Sequence, residues 1–211
     1  VGHGQAANVL VVIGHVVRVN GIIDDFRAAL GRQVGEGVLP AVLFGDLRGI
    51  GLAVGTAEGD GEGLRAVIWT QGCPHGCPGC HNPQTHAFDG GTSVASEILL
   101  KQLKAHFYLD GVTFSGGEPM AQAAACGELA QAVHQLGMNV WCYTGYTWEA
   151  LMEAQDPDQR MFLEQIDVLI DGPFLLAQKS LNLRFRGSAN QRLIDVQASL
   201  KAQHVVLAEK N

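Results

Sequence analysis

The stretch QGCPHGCPGCHNPQTH, residues 71–86, holds Cys73, Cys77 and Cys80, while the two other cysteines of the chain, Cys126 and Cys142, stand well downstream. The spacing Cys73-x3-Cys77-x2-Cys80 puts three soft ligands on one short loop. Three thiolates can grip three corners of a cubane iron–sulfur cluster and leave the fourth iron open to a small molecule. The alternative is structural zinc, with His75 or His81 completing a Cys3His site. Zinc sites usually draw on two separated ligand pairs, and no second pair exists here, so the spacing favours iron–sulfur. Cys126 falls in a predicted helix and Cys142 in a predicted strand; both read as ordinary buried residues.

A second motif, SGGEP at 115–119, ends a strand and opens a helix. Its two glycines let a ligand approach the backbone, Glu118 supplies a carboxylate for an ammonium group, and Pro119 suits a first helical position. Alone it would equally describe a tight turn with a solvated glutamate. Its weight comes from lying one strand–helix unit after the cysteine loop.

The elements that must position these loops alternate. Residues 64–70 read as a buried strand and 94–107 as a helix, with Ser93 as N-cap and Glu97 in the first turn. Residues 111–115 form a strand, 120–136 a helix closed by Gly137, 139–143 a strand, 147–154 and 159–165 helices, and 168–170 a strand. Such alternation predicts a parallel sheet with right-handed crossovers, whose ligands lie beyond the carboxyl ends of the strands. The four loops at that end carry the cysteines, SGGEP, TGY and DGPF. Upstream, 9–13 and 16–19 read as strands and 24–30 as a short helix, in glycine-punctuated sequence without chemistry. No methionine precedes Met120, so residues 1–50 are expected to be either a genuine extension or translated sequence ahead of the true start, with the working domain at 51–211.

An apolar content of 47% in 211 residues suffices for one domain with a proper core. A net charge of −7 and the absence of clustered Lys and Arg argue against nucleic-acid binding. No apolar run approaches the roughly 18 residues of a membrane helix, so neither nucleic acid nor membrane is an expected partner. The expected compartment is the cytoplasm, which suits thiolates that bind metal. Trp69, Trp141 and Trp148 read as core.

Taken together, DGEGLR at 60–65, CPHGCPGCHNPQTH at 73–86, FSGGEP at 114–119, YTGY at 143–146, VLIDGPF at 168–174 and RGSANQR at 186–192 resemble the radical S-adenosylmethionine enzymes. Among these they are most similar to the glycyl-radical activating enzymes that serve anaerobic ribonucleotide reductases. The likeness runs over about residues 52–200. Gly79 discriminates, because most of the superfamily has an aromatic residue just before the third cysteine and the reductase activators usually have Gly. Glu62 stands where the family has Pro, and residues 1–50 have no counterpart.

The resemblance implies an α/β fold of the incomplete TIM-like barrel type, with parallel strands. The chain is too short for the complete eight-unit form of about 250 residues, and the gap would admit a partner's glycine-bearing loop. It implies a [4Fe-4S] cluster on Cys73, Cys77 and Cys80, with S-adenosylmethionine chelating the open iron. Gly79, Cys80 and His81 would line the cofactor beside the cluster, and Gly116, Gly117 and Glu118 would meet its methionine end. One electron would release a 5′-deoxyadenosyl radical that takes hydrogen from a glycine, so no side chain is needed as a general base. The implied partners are the glycyl-radical subunit of anaerobic ribonucleoside-triphosphate reductase and, as electron donor, reduced flavodoxin or ferredoxin. An activase for a formate-lyase type enzyme and a zinc-binding module are the alternatives. His81 could touch nothing. Thr144 and Asp171 could contact ligand or cap helices, and Arg184, Arg186 and Arg192 could dock a partner or be solvated.

Overall fold

A computed structural model describes residues 46–55, 61–106 and 108–208, the first stretch by its backbone alone. The chain divides into two units, and the second, Ile13–Leu43, lies outside these residues. So do the strands expected at 9–13 and 16–19 and the helix expected at 24–30.

Among the described residues seven strands form one sheet: β1 (Asp46–Gly55), β2 (Arg65–Thr70), β3 (Thr92–Ala95), β4 (Gly111–Gly116), β5 (Asn139–Tyr143), β6 (Val168–Asp171) and β7 (Arg192–Asp195). Their order is β3-β1-β2-β4-β5-β6-β7. The expected parallel block is present, since β2, β4, β5 and β6 pair in parallel. The antiparallel flanks, β3 and β1 on one side and β7 on the other, were not expected. The fold is thus mixed α/β. Val112, Phe114, Val140, Cys142, Leu169 and Ile170 are all fully buried. Neighbours such as Leu169 and Ile170 point to opposite faces: Leu169 joins the cluster on which the helices pack, and Ile170 joins a smaller one with Trp141, Val168 and Phe185.

Among the described residues five helices cover the Leu169 face: α1 (Ser96–Ala105), α2 (Ala123–Gln135), α3 (Trp148–Glu153), α4 (Pro157–Glu164) and α5 (Val196–Ala202). In α2, Cys126, Leu129, Ala130 and Val133 are buried at helical spacing and form the inward stripe. Phe162 of α4 meets Phe114 of β4 edge to face at 5.2 Å between ring centroids.

The structure corrects several boundaries. The helix expected over 94–107 begins only at Ser96, because Thr92–Ala95 extends to pair with β1. Ser93 is therefore a strand residue and caps nothing; the N-cap position is Ala95, without a side-chain cap bond. The helix expected over 120–136 opens as a 3-10 turn, Pro119–Gln122, before α2 begins. Gly137, at φ 78°, ends it as expected. The edge strand β7 and helix α5 were missed, since RLIDVQASL has no turn signal between them.

The described part of DGEGLR, residues 61–65, lies at the opposite end of the sheet from the cysteines. Arg65 is fully buried. Its guanidinium donates to Thr113 Oγ1 at 2.7 Å, Asn139 Oδ1 at 2.7 Å and the Val112 carbonyl at 2.8 Å. It also lies 5.1 Å from the Trp141 ring centre. Glu62 contributes its backbone carbonyl to Arg65 Nη1 at 3.1 Å. A backbone acceptor does not depend on the side chain, which explains how this turn does without the family's proline. Among the described residues no helix is long and apolar enough to cross a membrane.

Candidate iron–sulfur and cofactor site

In the parallel block the registers Thr70↔Gly116, Phe114↔Cys142 and Tyr143↔Ile170 align the carboxyl ends of β2, β4, β5 and β6. The four motif loops therefore leave one edge of the sheet. Backbone hydrogen bonds tie the first loop to the second and the third to the fourth: Gly117 N donates to Thr70 O at 2.7 Å, Glu118 N to Gly72 O at 2.8 Å, Thr144 N to Ile170 O at 3.0 Å and Gly172 N to Tyr146 O at 2.8 Å.

Cys73, Cys77 and Cys80 are half-buried, free thiols, whereas Cys126 and Cys142 are fully buried. Burial, with the charge of Glu118 adding to it, pushes the thiols of Cys126 and Cys142 well up. Both are thus held as neutral, inert thiols, as expected. The loop is closed at its stem, where Gly72 N donates to Thr85 O at 2.8 Å and Cys73 N to His86 O at 3.0 Å. A backbone N–H also serves a sulfur, since Asn82 N donates to Cys80 Sγ at 3.3 Å; burial pushes the Cys73 thiol up, and the backbone N–H groups of His75 and Gly76 act against that rise. N–H donors to sulfur are what iron–sulfur thiolates use to tune the cluster.

Among the described residues no group of three or more His, Cys, Asp or Glu side chains is arranged to hold a metal ion. Thiolates sharing one zinc, each about 2.3 Å from it, must crowd within about 4 Å of one another. The thiolates of a cubane bind different irons and stand farther apart, and three soft thiolates on one loop are the donor set such a cluster takes. His75, a candidate fourth zinc ligand, is already engaged: its Nε2 lies 2.7 Å from Glu118 Oε2.

Glu118 is fully buried and its carboxylate gathers four donors. Oε1 accepts from Met120 N at 3.0 Å and Thr144 Oγ1 at 2.9 Å. Oε2 accepts from Gly145 N at 2.8 Å and from His75. The glycines before it are demanded by packing. A Cβ on Gly116 would lie 2.7 Å from Thr70 N, and one on Gly117 would lie 2.5 Å from Gly72 O.

Gly79 and His81 face the long loop after β6 instead. Gly79 has φ 74°, and a Cβ there would lie 3.0 Å from Leu176 Cδ1. The His81 ring sits 5.0 Å from that of Phe174, so it does have a partner. That loop is braced by RGSANQR. Gln191 Oε1 accepts from Gly187 N at 2.9 Å and Ser188 N at 3.2 Å, and Asn190 Nδ2 donates to Pro173 O at 2.8 Å.

Thr144 donates to Glu118, and Asp171 accepts from Trp148 N at 2.8 Å at the start of α3. Asp171 also pairs with Arg192, which reaches Glu149 as well. The capping alternative thus describes Asp171, and Arg192 is a brace between β6, β7 and α3. Sequence reasoning missed Gly145, Tyr146 and Phe174 as parts of the site. YTGY and VLIDGPF had marked their loops without saying which residues face the cysteines.

Comparison with known proteins sets these features in a lineage. Residues 59–194 match the family described as a 4Fe-4S single cluster domain. The anaerobic ribonucleoside-triphosphate reductase-activating protein of Haemophilus influenzae is 35% identical over 140 residues, 63% of this chain and 88% of that protein. Its Vibrio cholerae counterpart is 36% identical over the same shares. The chain belongs to this reductase-activating protein family. The Escherichia coli member is 30% identical over 141 residues, 63% of this chain and 88% of its own. As a reductase-activating protein the chain is an enzyme, an activase of the oxidoreductase class built on a 4Fe-4S domain. The crystal structure of QueE from Escherichia coli aligns over 60% of this chain and 69% of its own with a TM-score of 0.40 and 18% identity, too distant to assign a fold.

Proposed function

We propose that the chain activates the glycyl-radical subunit of an anaerobic ribonucleoside-triphosphate reductase by radical S-adenosylmethionine chemistry. The observation that carries this reading is the loop bearing Cys73, Cys77 and Cys80, half-buried at the carboxyl edge of a parallel sheet with the SGGEP and TGY turns bonded to it. Cys73, Cys77 and Cys80 hold the [4Fe-4S] cluster. Gly79, Cys80 and His81 line the adenosylmethionine beside it, and Gly116, Gly117 and Glu118 face its methionine end.

When bound, the cluster and adenosylmethionine would supply one-electron chemistry that removes a hydrogen atom from a glycine of the partner. The protein's own residues bind, orient and shield. Glu118 places fixed negative charge near the ammonium group of the cofactor. Phe174 and His81 cover one side of the loop and exclude water. The strand order has β3 and β7 at its ends, which suits an incomplete barrel open to one side. That opening admits the glycine loop of the reductase. Reduced flavodoxin or ferredoxin supplies the electron, and the setting is the cytoplasm.

The test is to reconstitute the protein without oxygen, reduce it, add adenosylmethionine and the reductase, and record the electron spin resonance spectrum. A glycyl radical on the reductase, with methionine released, is expected. A colourless protein containing zinc overturns the reading, and a radical formed only on a formate-lyase type enzyme replaces the partner.

A further inference from the structure

His75 lies between two of the cluster cysteines, and three motif loops converge on it. Its ring Nε2 is 2.7 Å from Glu118 Oε2, in the turn after β4. A carboxylate can only accept, so Nε2 carries the hydrogen. The ring lies over the turn after β5, where a Cβ added to Gly145 would fall 2.3 Å from its Cδ2. It meets Tyr146 edge to face, with 4.6 Å between ring centroids. The side chain is only 18% exposed and Glu118 is wholly enclosed. At its other end, the backbone N–H of His75 acts against the rise that burial imposes on the Cys73 thiol.

These contacts matter because of what surrounds them. The stem of the loop is held at Gly72 and Cys73, and Cys80 N donates to Cys77 O at 3.1 Å within the loop itself. Between these points the span from Pro74 to Gly76 is fastened to the sheet through the His75 ring. Gly76, at φ 57° with open space around it, lets the chain turn there without supporting it.

We infer that His75 is a positioning residue for the cluster loop: its Nε2–H bond to Glu118 locks the Cys73-to-Cys77 span against the turns after β4 and β5. The ring sets where its own backbone N–H points, close to the Cys73 sulfur. N–H groups beside thiolate sulfurs tune the potential and stability of an iron–sulfur cluster. What the lock is for rests on the proposed function; the lock itself does not.

Four reconstituted full-length proteins decide it: wild type, His75→Gln, His75→Leu and Gly145→Ala. Gln can place an N–H where Nε2 sits, Leu fills the space without a donor, and the new methyl group of Gly145→Ala evicts the ring. His75→Leu and Gly145→Ala should lose iron to a chelator about 10-fold faster than wild type, the lower end for loss of outer-sphere support. Their cluster potentials should shift, and His75→Gln should restore both properties. Equal iron retention and potential in wild type and His75→Leu would overturn the inference, as would a His75→Gln protein that behaves like His75→Leu.

Amide exchange in the metal-free proteins separates this outcome from failure of the proposed function. His75→Leu should speed exchange in peptides covering 73–77 and 144–146, and His75→Gln should not. If wild-type protein takes up no [4Fe-4S] cluster, the proposed function falls, and the exchange rates still decide His75.

Discussion

A cysteine's surroundings decide whether its sulfur can bind iron, and the five cysteines here divide cleanly. Cys126 and Cys142 have no solvent exposure, and burial holds them as thiols. Cys73, Cys77 and Cys80 are half-buried, with a backbone donor on the Cys80 sulfur. Cys77→Ala should therefore abolish [4Fe-4S] assembly, while Cys126→Ala should keep full iron content and lose only about 1 kcal/mol of stability for a small core truncation. Iron analysis and thermal melting of the two variants check this, and equal iron in both contradicts it. At this scale the ligands were legible because their spacing is local. The partnership of His75 with Glu118 was not, since the two lie 43 positions apart and nothing local in either segment points to the other.

Elements were legible where burial imposes a period, and misread where a distant strand decides. The expectation of Ser93 as N-cap followed a sound local rule, but β1 claims TSVA as a partner, and pairing with a strand far upstream outweighs a capping preference. Asp156 went unremarked, although it caps α4 by accepting from Asp158 N at 2.9 Å and Gln159 N at 3.3 Å, with Pro157 in the first helical position. The two positions make opposed predictions. Asp156→Ala should cost about 1 kcal/mol, the usual loss for an aspartate cap. Ser93→Ala, at an exposed strand position, should stay within about 0.5 kcal/mol. Urea denaturation of both variants measures the difference, and a larger cost at Ser93 would reinstate it as the cap. The glycines of SGGEP teach a related lesson. Their motif was legible, yet part of its requirement is packing, because the backbone of the cysteine loop occupies the space their side chains would need.

For the molecule as a whole, the parallel block could be read from alternating periods, but its antiparallel borders could not. Glycine-rich DLRGIGLAVG has too little side-chain pattern to announce a strand, yet β1 occupies it and lies between β3 and β2. It also runs across residues 50 and 51, where the working domain was expected to begin. Its first half pairs Asp46↔Ala95 through Gly49↔Thr92 with β3, and its second half pairs Leu52↔Ile68 through Gly55↔Arg65 with β2. A chain shortened to begin at Leu52 would keep the second ladder except its Gly49↔Thr70 pair and strip β3 of its partner. The lost ladder bonds, at about 1 kcal/mol each, amount to about 3 kcal/mol. For a domain of this size that lowers the melting temperature by roughly 10 °C. A chain beginning at Asp46 keeps both ladders and should melt with the full-length protein. Circular dichroism melts of the two shortened chains measure this, with amide exchange at 92–95 locating the damage. If both melt alike, β1 contributes its pairing to β2 alone and the β3 border is dispensable. If the Leu52 chain melts early, the border holds α1 over the sheet, where Leu99 and Leu103 join the core that backs the site.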